Sequence, residues 1–122
     1  MEVTTVAVTI EKTYLMLMVA DMDRAVAFYR DALGLAVETQ SPWWSELRSG
    51  GATVALHGGG EAMAHTGLGF HVDDLDAAVA AVEAHGGAVA SPATDRPQEG
   101  IRLAEVRDTE GNGFSLGQTL PR

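Results

Sequence analysis

The residues of this chain that could do chemistry are few. His57 and His71 are imidazoles able to act as a general base or to ligate a metal; their ordinary role is to line a surface with both nitrogens hydrogen-bonded. Trp43-Trp44 with Glu46 two residues on is the most suggestive cluster. An indole can stack on a planar ligand, and a carboxylate beside it suits a cationic aromatic one. The plain alternative is two packing tryptophans and a Glu46 paired with Arg48 or Arg102. Glu105 is a second carboxylate expected to enter the same cleft. His65 sits in a loop and His85 near a helix end, and neither carries a role. Asp73, Asp74 and Asp76 lack the spacing and the closing Glu of a calcium loop. Gly58-Gly59-Gly60 has no Gly-Lys-Ser/Thr sequel, so it is no phosphate loop. No Gly-x-Ser-x-Gly element occurs. The absence of cysteine removes disulfides, thiolate metal sites and a thiol nucleophile.

These residues are positioned by a pattern that the chain states twice. Val19-Ala20-Asp21-Met22-Asp23 runs into Arg24-Ala25-Val26-Ala27-Phe28-Tyr29, and Val72-Asp73-Asp74-Leu75-Asp76 runs into Ala77-Ala78-Val79-Ala80-Ala81-Val82. Each copy has an apolar run ending in Val, an acidic turn suited to capping a helix, and a helical stretch closed by glycine (Gly34; Gly86-Gly87). Tyr14 to Val19 reads as a strand, followed by a helix and strands at Leu35 to Thr39, Trp43 to Arg48 and Thr53 to His57. In the second copy, Thr66 to Val72 is a strand, Ala88 to Ala90 a weak one, and Ser91 to Gly100 a proline-bearing loop. Ile101 to Arg107 and Gly113 to Gln118 are the last strands, joined by a turn at 108–112. Val3 to Ile10 is an extended arm or edge strand. The expectation is an α+β domain over 1–122 with two tandem βαβββ modules, about 12–57 and 66–118, and a linker at 58–65.

The chain has 122 residues, the size of one domain, with 46% hydrophobic and 20% charged residues. A net charge of -9 argues against nucleic acid; it keeps the protein soluble and is compatible with a cationic small molecule. No apolar run approaches a membrane span and no signal peptide is visible, so a cytoplasmic protein with no membrane partner is expected.

Period-two alternation gives each strand two faces. Leu15, Leu17 and Val19, with Leu68, Phe70 and Val72 in the repeat, should lie under the helices. The other face carries Tyr14, Met16, Met18, Trp44, Glu46, Ala55 and His57 in the first module. In the second it carries Gly67, Gly69, His71, Ser115 and Gly117. Aromatic, methionine and glycine residues together suit a cleft better than a close-packed layer.

Ala27-Phe28-Tyr29-Arg30-Asp31-Ala32-Leu33-Gly34-Leu35, following the Val-x-Asp-x-Asp turn, and Asp108-Thr109-Glu110-Gly111-Asn112 before the last strand carry a resemblance. Over about residues 12 to 118 the chain resembles the vicinal oxygen chelate superfamily of glyoxalases, bleomycin resistance proteins and extradiol dioxygenases. The resemblance implies paired βαβββ modules forming a curved mixed sheet around a cleft, usually in a homodimer. It also implies a divalent metal held by His at the start of the first and fifth strands and Glu late in the fourth and eighth. Those positions fall here on Tyr14, Gly67, Ala55 and Ser115, which are not a ligand set for such an ion. The implied protein is a metal-free, cofactor-free binding module like the bleomycin-resistance branch, with no catalytic residue and no metal. It would sequester an antibiotic or toxic metabolite through Tyr14, Met16, Met18, Trp44, Glu46, His57, His71, Glu105 and Ser115. The alternative is a lyase, isomerase or dioxygenase with a non-standard metal site.

Overall fold

The acidic turns form because each offers an oxygen to a helix with unsatisfied N–H groups. In the computed structural model, which describes residues 7–121, Asp21 accepts from the backbone N–H of Arg24 and opens α1 (Met22–Leu33). Asp74 accepts likewise from Ala77 and opens α2 (Leu75–Ala84). Gly34, at φ 74°, closes α1 by donating to Arg30, a conformation that costs a residue with a Cβ about 1 kcal/mol or more.

Around α1 lie β1 (Tyr14–Val19), β2 (Ala36–Thr39), β3 (Trp44–Ser49) and β4 (Ala52–Gly58). Around α2 lie β5 (Gly69–His71), β6 (Ala88–Arg96), β7 (Ile101–Arg107) and β8 (Gly113–Thr119). Each module is a four-stranded mixed sheet, ordered β1-β4-β3-β2 and β5-β8-β7-β6. The β1–β4 and β5–β8 pairs are parallel and the rest antiparallel. The expected α+β fold of two βαβββ modules is therefore present. Its sheet is divided into two halves with no ladder between β1 and β5.

One face of each sheet is sealed by its helix. Leu17, Val19, Leu47, Val54 and Leu56 are buried against Ala25, Val26 and Tyr29, and Val106 and Leu116 belong to the same core as Leu75 and Val82. Phe28 lies 5.1 Å from Tyr29 and 6.3 Å from Phe114, edge to face, so the aromatic core runs through both modules. Each such side chain contributes about 1.5–3 kcal/mol by burial.

A polar clasp joins the modules on the helix side. The Tyr29 hydroxyl donates to Asp108 at 2.7 Å in the core, and Asn112 donates to the Met18 carbonyl at 2.8 Å. Glu110 accepts from the N–H groups of Ala20 and Asp21 and from Arg24 Nε at 2.8 Å. Its side chain is only 1% exposed. The Glu110 carboxyl is pushed up by burial, but Arg24, the Asp21 N–H and Thr109 outweigh that and hold it below its ordinary value.

Two expectations are corrected. Ser91 to Arg96 is not loop but the outer half of β6, with register shifts between Val89, Ser91 and Thr94. An edge strand with bulges tolerates Pro92, because one row of its N–H groups faces solvent. The strand expected at Thr66 to Val72 is reduced to Gly69–His71. Thr66 Oγ1 donates to the Gly113 carbonyl and accepts from the Leu68 N–H, a local turn at Gly67, while the Thr66 N–H to Gly113 and the Ser115 N–H to Leu68 hold the segment beside β8. Of the arm at Val3 to Ile10, residues 7–10 are not strand, and the remainder lies outside the described residues.

Candidate functional site

Strand register sets the rows of the open faces. On the first sheet, Tyr14, Thr53 and Arg48 form one row, Met16, Ala55 and Glu46 the next, and Met18, His57 and Trp44 the third. Ser45 and Leu47 are fully buried on the opposite face, so Trp44 and Glu46 point away from α1. The six first-module residues expected at the site, Tyr14, Met16, Met18, Trp44, Glu46 and His57, therefore share one face.

Trp44 is the centre of that face. Its ring meets Tyr14 edge-on at 5.5 Å and His57 edge-on at 6.3 Å. Its Nε1–H donates to Glu46 Oε2 at 2.8 Å. The other Glu46 oxygen accepts from Lys12 Nζ. The Lys12 ammonium first, then the Trp44 N–H, holds the Glu46 carboxyl below its ordinary value, and Glu46 in turn raises the Lys12 ammonium. Tyr14 and Met16 remain exposed, at 49% and 42%. Met18 is half-buried against Gly60, where an added Cβ would come within 3.0 Å of the Met18 Cβ. His57 Nδ1 is 2.8 Å from the Gly58 carbonyl.

The second-module residues lie on the other open face. Gly69, Ser115 and Glu105 form its middle row, with His71, Gly117 and Leu103 beside it. His71 Nε2 is 2.8 Å from Thr119 Oγ1. Tyr14 and His71 both line a groove of about 640 Å³ between the β1 and β5 edges, whereas Glu105 and Ser115 line a separate hollow of about 260 Å³. The two halves of the expected site are thus not gathered into one pocket within the chain.

Two sequence expectations about the tryptophans and Glu46 change. Trp43 is not a core residue: it stands one position before β3 and is 70% exposed. There its carbonyl accepts from the Gly58 N–H and the ring projects beyond the sealed core. Glu46 pairs with neither Arg48 nor Arg102, which are engaged by Glu38 and by Asp76 and Asp95. Lys12, its actual partner, was missed. No local signal marks it, because Lys12 precedes β1 and lies 34 positions from Glu46.

The four positions implied to hold a metal do not fit one. Tyr14 starts β1, Ala55 is fully buried mid-strand, Gly67 has no side chain, and the Ser115 hydroxyl faces the Leu68 carbonyl at 3.5 Å. Such a set offers neither imidazole nor carboxylate. Among the described residues, no three His, Asp or Glu side chains lie close enough to share an ion.

The family model for the Glyoxalase/Bleomycin resistance protein/Dioxygenase superfamily matches residues 13–116. The chain belongs to that superfamily. A superfamily enzyme from Burkholderia phytofirmans aligns at 19% identity and a TM-score of 0.74, covering 88% of this chain and 97% of its own. The fosfomycin resistance protein FosX from Listeria monocytogenes aligns at 17% identity and a TM-score of 0.73, covering 91% and 94%. A glyoxalase/bleomycin resistance protein from Albidiferax ferrireducens aligns at 26% identity and a TM-score of 0.69, covering 86% and 95%. No curated protein sequence matches the chain. Among the described residues, no helix is long and apolar enough to cross a membrane.

Proposed function

We propose that this superfamily member is a metal-free binding protein that sequesters a small planar molecule, an antibiotic or toxic metabolite, as a cytoplasmic homodimer. The observation that carries the reading is the Trp44 cluster. An indole anchored by its own N–H to Glu46 and flanked by Tyr14 and His57 stands on a face that no helix covers. A planar ligand would lie against Trp44 and Tyr14, with Met16 as an adaptable wall. The donor-poor set Tyr14, Ala55, Gly67 and Ser115 supports binding over metal chemistry.

The test is titration of tryptophan fluorescence with planar aromatic compounds, with and without zinc, nickel, manganese or iron(II), followed by native mass spectrometry. Trp44→Ala should weaken a compound so identified by about 1–2 kcal/mol, or roughly 5- to 30-fold. Unchanged affinity would refute the stacking role, and binding that requires metal would refute the metal-free one.

A lyase, isomerase or dioxygenase with a non-standard metal site is favoured by one register observation. Glu46 neighbours Ala55, and Glu105 neighbours Ser115, so each module keeps a carboxylate one strand outward from the position that the family would use. Metal-dependent turnover lost in His71→Ala would establish that reading.

A further inference from the structure

Lys12 is the only lysine in a chain with 17 carboxylates, and it occupies the one carboxylate bound to Trp44. It is carried by a segment, Ala7–Thr13, that belongs to no helix or strand. Its side chain is half exposed, whereas that of Glu46 is 18% exposed. A solvated, flexible ammonium has been brought to a largely covered carboxylate at the edge of an aromatic cluster. That is the arrangement a cationic aromatic guest would make for itself. Among the described residues, the neighbouring Arg48 is turned to Glu38 instead, and Arg107 donates to the Gly111 carbonyl.

We propose that Lys12 is a tethered competitor for the cation subsite of this face. In the free protein its ammonium holds Glu46, and a ligand's own cation takes that place while its ring system stacks on Trp44. The proposal rests on the binding role given to Trp44 above and adds the ligand class: planar molecules carrying a positive charge at their rim. It also makes the strap selective. A neutral planar molecule can stack without touching the Lys12–Glu46 pair, whereas a cation must compete with it. If the pair is closed about nine-tenths of the time, a cation binds about tenfold more weakly than to an open site.

The test compares N-methylacridinium with uncharged acridine at about pH 8, where lysine is charged and histidine neutral. Affinities are measured by calorimetry on the wild-type protein and on Lys12→Met. The methionine keeps the apolar stem and removes the charge. The expected result is an affinity for the cation that rises about tenfold in Lys12→Met, with acridine unchanged. Because the chain has a single lysine, reductive methylation with a 13C label gives one side-chain resonance that keeps its charge. N-methylacridinium should move that resonance to its position in Glu46→Gln, and acridine should not. Acridine binding with no gain for the cation in Lys12→Met overturns the competitor while leaving the stacking site standing. A resonance in the unliganded protein identical to that in Glu46→Gln also overturns it. If neither probe binds either protein, the stacking reading fails and the competitor falls with it.

Discussion

Replacing Tyr29 with Phe removes one oxygen from a core position that is otherwise filled, and the surroundings define what is lost. The hydroxyl is buried and donates at 2.7 Å to Asp108 Oδ2, whose only other donor among the described residues is Asn112 Nδ2 at 3.1 Å. The second oxygen of Asp108 keeps the N–H groups of Glu110 and Asn112. The ring itself, packed between Phe28 and Phe114, is unchanged in Phe, so no cavity term enters. What remains is a hydrogen bond to a charged acceptor together with a carboxylate oxygen left short of a donor, about 1.5–3 kcal/mol. For a domain of this size that corresponds to roughly 5–12 °C in Tm. Urea unfolding with an unchanged m-value would measure it. The pH dependence provides a second signature. Burial first, and Asp108 second, push the Tyr29 phenol well above its ordinary value. The native state keeps its proton while an unfolded tyrosine loses it near pH ~10. Stability from this group is complete below that pH and is lost as pH rises beyond it, a loss that Tyr29→Phe should diminish. A destabilisation under about 0.5 kcal/mol with an unaltered alkaline limb would refute the assignment of the clasp to this bond.

Two further outcomes follow from other contacts. Glu110→Gln should cost about 1.5–3 kcal/mol, since an amide cannot satisfy both Arg24 and the N–H groups of Ala20 and Asp21. The Glu110 carboxyl is held below its ordinary value, so its stabilisation is present above pH ~4.3 and disappears as pH falls. Acid titration of unfolding should show a shallower limb in the variant. Gly87→Ala should destabilise by at least about 1–3 kcal/mol. Its Cβ would stand 2.5 Å from the Arg107 carbonyl and 2.9 Å from Phe28. A melting temperature equal to that of the wild type would contradict that packing.

The helices and most strands could be read because their signals are local. Asp21 and Asp74 cap within three residues, Gly34 reverses the chain where it stands, and Leu17, Val19, Leu47 and Val54 alternate as buried strands do. The open face of the first module was legible for the same reason: Tyr14, Met16, Trp44, Glu46 and His57 are the off-phase residues of those strands. The outer half of β6 was not, because Pro92 breaks the local pattern and only pairing with β7 keeps the segment extended. Which of Trp43 and Trp44 faces outward was open in the sequence, and Trp43 lies just before β3, where strand alternation no longer governs its ring. The Lys12–Glu46 pair spans 34 positions and depends on where a long side chain reaches, which no periodicity encodes. The separation of Glu105 and Ser115 from Trp44 depends in turn on how the modules dock.

That docking is unequal between the two repeats. The second module carries the clasp in its β7–β8 turn, whereas the matching β3–β4 turn of the first is a short reversal at Gly50-Gly51 with no comparable reach. The two repeats have in this sense divided the labour. The second is constrained to grip its neighbour, and a change at Asp108, Glu110 or Asn112 would be felt by the whole domain. The open face of the first bears no such duty. Trp44, whose neighbours are Tyr14, Glu46 and His57, lies outside the clasp, so a change there is felt on that face and not across the modules.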